Sequence, residues 1–127
     1  MCGRRELDHL NAVSEKIIGC AFKGGNTLGC GFLEKVYENA LVFELTQSGL
    51  MVAQRKEITV IYDGIVVGEY EADLLVNDDI LVELKAVREL NNIHRAQCMN
   101  YLRATGLKLC LLINFGNPRV EIKRVIL

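Results

Sequence analysis

Tyr70-Glu71-Ala72-Asp73-Leu74-Leu75-Val76-Asn77-Asp78-Asp79-Ile80-Leu81-Val82-Glu83-Leu84-Lys85-Ala86-Val87 is the most informative stretch of the chain. Two apolar runs, 72–76 and 80–86, flank a turn at Asn77-Asp78-Asp79, which reads as two strands joined by a tight loop. Asp73, Glu83 and Lys85 interrupt these runs, and charges are costly to bury without partners. Strand alternation sets Glu83 and Lys85 on one face. With a three-residue loop, Val76 pairs with Ile80, and counting back sets Asp73 directly opposite Glu83. Like charges so placed repel each other, and a divalent cation relieves them; oxygen donors suit Mg²⁺ or Mn²⁺ better than zinc. A loop one residue longer or shorter would turn Asp73 to the other face. The same register sets Glu71 opposite Lys85, so a cross-strand salt bridge is an equally ready explanation of the lysine.

On the N-terminal side of this stretch, Asp63-Gly64 is a hairpin signal between Ile58–Tyr62 and Ile65–Val67. Apolar residues at Leu10, Val13, Ile17, Ile18 and Ala21 give a helical stripe over Leu7–Phe22, and Lys23–Gly31, with four glycines, reads as a loop. A second helix spans Phe32–Gln47, with Leu33, Val36, Tyr37, Ala40, Leu41 and Leu45 on one face and Gly49 as its stop. On the C-terminal side, Asn91–Ala104 is a third helix ended by Gly106. Leu107–Phe115 and Arg119–Ile126 are strands around the Gly116-Asn117-Pro118 turn. The order ααβββαββ predicts a mixed α/β (α+β) fold with helices packed on a sheet, residues 1–127 forming a single domain.

Composition narrows the function classes. Half of the 127 residues are apolar and 24% are charged, enough for one filled core. Fifteen Lys and Arg against sixteen Asp and Glu give a net charge of −1, so nucleic acid would have to be held by a local patch. Arg55-Lys56, Lys85, Arg88, Arg95 and Arg103 are candidates for such a patch, or ordinary solvated charges. No apolar run is long enough to span a membrane, and Met1–Asn11 is too charged for a signal peptide. The five cysteines, Cys2, Cys20, Cys30, Cys98 and Cys110, include no C-x-x-C pair; Cys20, Cys98 and Cys110 read as small buried hydrophobes, as in a reducing cytoplasm. The glycines of 24–31 lack the lysine and the preceding strand of a phosphate-binding loop. His94 beside Arg95 could add to a basic edge, although a lone surface histidine usually has no role.

Several motifs, taken together, carry a resemblance. Asp73, nine residues, then Glu83-Leu84-Lys85 resembles the D…ExK signature of the PD-(D/E)xK nuclease superfamily. Gly31-Phe32-Leu33-Glu34-Lys35-Val36-Tyr37 resembles the motif that names its GxxExxY family of small proteins, and Gln97-Cys98-Met99-Asn100-Tyr101-Leu102 and Leu111-Leu112-Ile113-Asn114-Phe115-Gly116 match that family further. The resemblance covers about Glu15 to Leu127. One departure is Gly24-Gly25, where relatives usually carry Val-His.

This resemblance implies a restriction-endonuclease-like central mixed sheet flanked by helices, and a metal-dependent nuclease acting on DNA or RNA. Asp73 and Glu83 would be ligands of Mg²⁺ or Mn²⁺, with the Leu84 carbonyl as a third oxygen. Glu34 would match an acidic residue near the metal on the first core helix. Lys85 would be the catalytic lysine. Gln97 and Tyr101 fit a Q-x-x-x-Y element of exonuclease branches, and their i, i+4 spacing gives them a common face. The alternative function is a module that keeps the fold and binds nucleic acid or a protein partner without turnover. A homodimer would enlarge the small surface available for gripping a duplex.

Overall fold

The computed structural model describes residues 3–127; Met1 and Cys2, the latter one of the five cysteines, lie outside the described residues. The Asn77-Asp78-Asp79 turn forms with Asn77 and Asp78 in the left-handed region, at φ 51° and 60°. It joins β2 (Ile65–Val76) to β3 (Ile80–Lys85) with Val76 opposite Ile80, Leu75 opposite Leu81 and Leu74 opposite Val82. The three-residue loop and its register are therefore as the sequence predicts. Asp63 and Gly64, at φ 52° and 78°, close the hairpin between β1 (Val52–Tyr62) and β2, with Tyr62 opposite Ile65. Two consecutive positive φ values match the right-handed twist of the flanking strands.

The other elements are α1 (Arg4–Leu28), α2 (Glu34–Gln47), α3 (Asn92–Thr105), β4 (Leu109–Asn114) and β5 (Glu121–Ile126). The five strands lie in the order β1-β2-β3-β4-β5, antiparallel except for the parallel β3–β4 pair that α3 connects. The sheet separates two cores. Leu74, Val76, Ile80, Val82, Leu84, Leu111 and Ile113 face α1 and α2, where Ile17, Ala21, Tyr37, Leu41 and Leu45 cover them. Leu75, Leu81, Cys110, Leu112 and Val125 face α3 through Cys98, Tyr101 and Leu102. Alternation from Leu81 sets Glu83 and Lys85 on the α3 side.

Helix α1 runs six residues past Phe22, through Gly24 and Gly25, so the 23–31 segment is mostly helix and not a loop. A Cβ on Gly25 would sit 2.3 Å from Val120 Cγ2 and 3.2 Å from Phe115 Cδ1. The glycine is there for close approach of the helix to the sheet. On α2 the expected apolar face is narrower than the periodicity suggests: Tyr37, Leu41 and Leu45 are buried, but Leu33 is 81% exposed and Val36 is also exposed.

The motif from Gly31 to Tyr37 acts as a joint. Gly31 takes φ 114°, which side chains disfavour, and lets the chain turn into α2. The buried Tyr37 hydroxyl donates to the Gly29 carbonyl and accepts the Phe32 N–H, while its ring stacks on Phe115 at 4.8 Å. Glu34 is thereby fixed at the first turn of α2. A second joint lies past β3. The buried Asn114 accepts the Val87 and Gly116 N–H groups at Oδ1 and donates from Nδ2 to the Val87 carbonyl, tying the segment after Lys85 to the end of β4.

Candidate active site

The β2–β3 ladder stops one pair short of Asp73 and Glu83. There the side chains replace the backbone: Glu83 Oε1 accepts the Asp73 N–H at 2.9 Å, and Asp73 Oδ2 accepts the Leu84 N–H at 2.8 Å. Both residues are buried, at 7% and 4% exposure. Two neighbouring carboxylates thus hold the strands apart. The N–H and C=O of one residue in an extended strand point to the same edge, so the Leu84 carbonyl is also aimed into this opening. Glu83 Oε2 has no hydrogen-bond partner among the described residues.

Electrostatics register the crowding. Burial, and then the charge of Asp73, push the Glu83 carboxyl up to about 8. Burial also raises Asp73, against the Leu84 N–H and the nearby cations. Glu34, although much of the residue is exposed, carries a carboxyl held above its ordinary value by partial burial and by Asp73, with Lys85 and Arg55 pulling the other way. Tyr101 is pushed up to about 12 by burial and by the charge of Glu83, and its hydroxyl accepts from Gln97 Nε2 at 3.0 Å. Glu34 and Lys85 are therefore felt at the Asp73–Glu83 pair, and the pair in turn is felt at Tyr101.

Lys85 is half-buried and forms no ion pair among the described residues. Glu71, the alternative partner, is exposed and lies opposite Glu57 of β1. Arg55 reaches the carboxylates instead. It lies on β1 between Gln54, which pairs with Leu74, and Lys56, which pairs with Ala72, and takes φ 57°, a conformation that side chains disfavour. Its Nη1 lies 3.0 Å from Asp73 Oδ1 and its Nη2 3.0 Å from Glu38 Oε1. The pleat of β2 is out of step here, since Ala72 and Leu75, three apart, both join the α3-side core. Glu38, 1% exposed, also accepts from Lys35 Nζ and Gln54 Nε2 at Oε2.

Glu38 and Gln54 went unread in the sequence, and Arg55, read as a phosphate-facing cation or an ordinary solvated charge, directs its guanidinium to Glu38 and Asp73. The one available signal was Glu38 lying four residues after Glu34, on the same helical face as buried Leu41 and Leu45. His94 closes a capping box at the start of α3, accepting the Asn91 N–H at Nδ1.

The donor set tests what the site can hold. No group of three or more His, Cys, Asp or Glu converges for a metal among the described residues. Two buried carboxylates with raised proton affinity, one oxygen without a partner and a carbonyl aimed between them fit a hard divalent ion held by two side chains and the backbone. A thiolate or imidazole site for a softer metal is not present among the described residues.

Comparison with known proteins agrees with the fold. The profile described as "PD-(D/E)XK nuclease superfamily" matches residues 11–125. No curated protein matches the chain. Among solved structures, the chain is similar to an alkaline exonuclease (LHK-Exo) from Laribacter hongkongensis, at 15% identity and a TM-score of 0.54, over 72% of this chain and 55% of that one. It is similar also to the protein designated SSO0001, at 17% identity and a TM-score of 0.54, over 72% of this chain and 48% of that one. The chain thus spans about half the length of both, and at these identities the likeness shows the fold.

Proposed function

Because the chain belongs to the PD-(D/E)XK nuclease superfamily, we propose that residues 1–127 form a single nuclease-like domain of the GxxExxY type that hydrolyses phosphodiester bonds of DNA or RNA. The observation that carries this reading is the pair of buried carboxylates, Asp73 and Glu83, that takes over the hydrogen bonds of an interrupted ladder. Nucleases of this superfamily generally use divalent metal ions. Asp73, Glu83 and the Leu84 carbonyl would hold Mg²⁺ or Mn²⁺, with Glu34 beside them. When bound, such an ion polarises a phosphoryl oxygen and neutralises charge.

The chain's own residues do the rest. Lys85, without a carboxylate partner, is available to orient a water and to stabilise charge developing on the phosphate. Gln97 and Tyr101 place a hydrogen-bonded amide and phenol on the helix that faces the site. The free thiols Cys20, Cys98 and Cys110 are buried, in keeping with work in the cytoplasm. No described helix is long and apolar enough to cross a membrane.

One observation favours a second reading, a nucleic-acid-binding module without turnover: both Asp73 oxygens already accept protein donors, from Arg55 and from Leu84. Melting and cleavage assays decide. An ion at 100 times its dissociation constant stabilises the fold by about 2.7 kcal/mol. Wild type should melt higher in Mg²⁺ or Mn²⁺, and Asp73→Asn should not. Single-stranded DNA, duplex DNA and RNA should be incubated with Mn²⁺ and with a chelator. Metal-dependent cleavage that disappears in Glu83→Ala supports the nuclease; binding without cleavage of any substrate selects the module.

A further inference from the structure

The β1–β2 hairpin outruns its sheet. Strand β3 pairs only with Leu74–Val76 of β2, so the distal hairpin has no third strand beside it. An unsupported two-stranded ribbon is marginal in water, yet this one is apolar at its tip. Ile61, Tyr62, Ile65, Val66 and Val67 are all more than half exposed, and between Thr59 and Gly68 the only charge is Asp63. Tyr70 on the same arm and Ile93 on α3, 53% and 76% exposed, extend the surface. At roughly 100 Å² apiece these seven side chains present on the order of 700 Å² of apolar area. Counted over both faces of the arm and the groove rim together, that approaches the ~800 Å² that each partner gives to a stable interface.

Beside the ridge lies a hollow. Between the arm and α3 is a groove of about 670 Å³, its apolar lining made by Val60, Ile61, Tyr70, Ile93, Ala96 and Tyr101. One chain therefore carries both an apolar ridge and an apolar groove, the arrangement a self-complementary two-fold contact requires. We propose that the β1–β2 arm is a dimerisation element, its tip packing into the arm–α3 groove of a second copy, with the contact repeated about a two-fold axis.

Charge distinguishes this occupant from nucleic acid. Arg103 is the only cation lining the groove, and Glu57, Glu69 and Glu71 line a neighbouring depression at the base of the same arm. A phosphate backbone needs the reverse. The groove also takes in Gln97 beside Tyr101, so the partner's tip would lie against the same stretch of α3 that the proposed site uses.

Sedimentation equilibrium from the low to the high micromolar range tests it. Wild type should show the mass of two chains and keep it at high salt. Val66→Glu on the ridge and Ile93→Glu on the groove rim should each raise the dissociation constant by about tenfold or more, with unchanged circular dichroism. Tyr62→Lys, at the most exposed tip position, replaces Val66→Glu should that variant not fold. A wild type with the mass of one chain throughout overturns the proposal, as does a dimer indifferent to both substitutions. A monomer whose binding of a fluorescent single-stranded oligonucleotide is lost in the same variants overturns it in favour of nucleic acid.

Discussion

Arg55 of β1 joins Asp73 to Glu38, with Nη1 3.0 Å from Asp73 Oδ1 and Nη2 3.0 Å from Glu38 Oε1. One guanidinium thus serves two buried acids, one on α2 and one on β2. Removing it leaves both acids short of a donor, which costs more than the exposed half of the arginine suggests. Arg55→Ala should destabilise the fold by roughly 1–3 kcal/mol, measured by urea denaturation. Glu38→Gln should couple to it, the double variant losing less than the sum of the two. Additive losses would mean that the two residues act separately.

Lys85 offers the opposite case, since it has no carboxylate partner to lose. Lys85→Met should lower turnover by about 10²–10³-fold while leaving substrate affinity and melting temperature nearly unchanged. Glu71→Gln should alter neither stability nor cleavage. Wild-type turnover in Lys85→Met would remove the lysine from the chemistry, and matched losses of stability in both variants would restore the salt bridge.

Glu83 predicts a pH dependence. Folded, it keeps its proton to about pH 8; unfolded, it releases it near its ordinary value of 4.5. Between these limits the native state binds more protons, so stability falls as pH rises. In chelator, wild type should melt lower at pH 8 than at pH 5, and Glu83→Gln should flatten that slope. An unchanged slope in the variant would place the proton elsewhere.

The register around Asp73 was legible because two apolar runs and a short polar turn admit few pairings, and Val76 fixes Ile80. The extent of α1 was not. Gly24 and Gly25 look like breakers in one dimension, but their bare backbone is what admits Val120 and Phe115. The Glu38–Arg55 link was hidden for a similar reason: it depends on a left-handed φ at Arg55, which propensity does not encode in a non-glycine residue. Glu34 and Lys85 could be named from the motif, while the neighbours that hold Asp73 in place come from β1, where the sequence shows only alternating strand residues.

Gly25→Ala tests that packing directly. The added methyl would meet Val120 Cγ2 at 2.3 Å, and its neighbours must shift, costing about 1–3 kcal/mol. Gly19→Ala, with nothing within 4 Å of its Cβ, should be neutral or stabilising. Equal thermal stability of the two variants would show that α1 is free to move off the sheet.

The single parallel pairing, β3 with β4, also sets an order of assembly. Strands β1, β2 and β3 are joined by loops of two and three residues, so their contacts close early and at little entropic cost. Strand β4 must wait until α3 has been laid across the sheet. Until then the segment after β3 lacks its Asn114 anchor at Val87. The acidic pair and Lys85 all belong to the fast meander, whereas the segment after the lysine is tied down only by the slow crossover, so a chain released before Asn114 would carry the whole charge cluster with its C-terminal end unanchored.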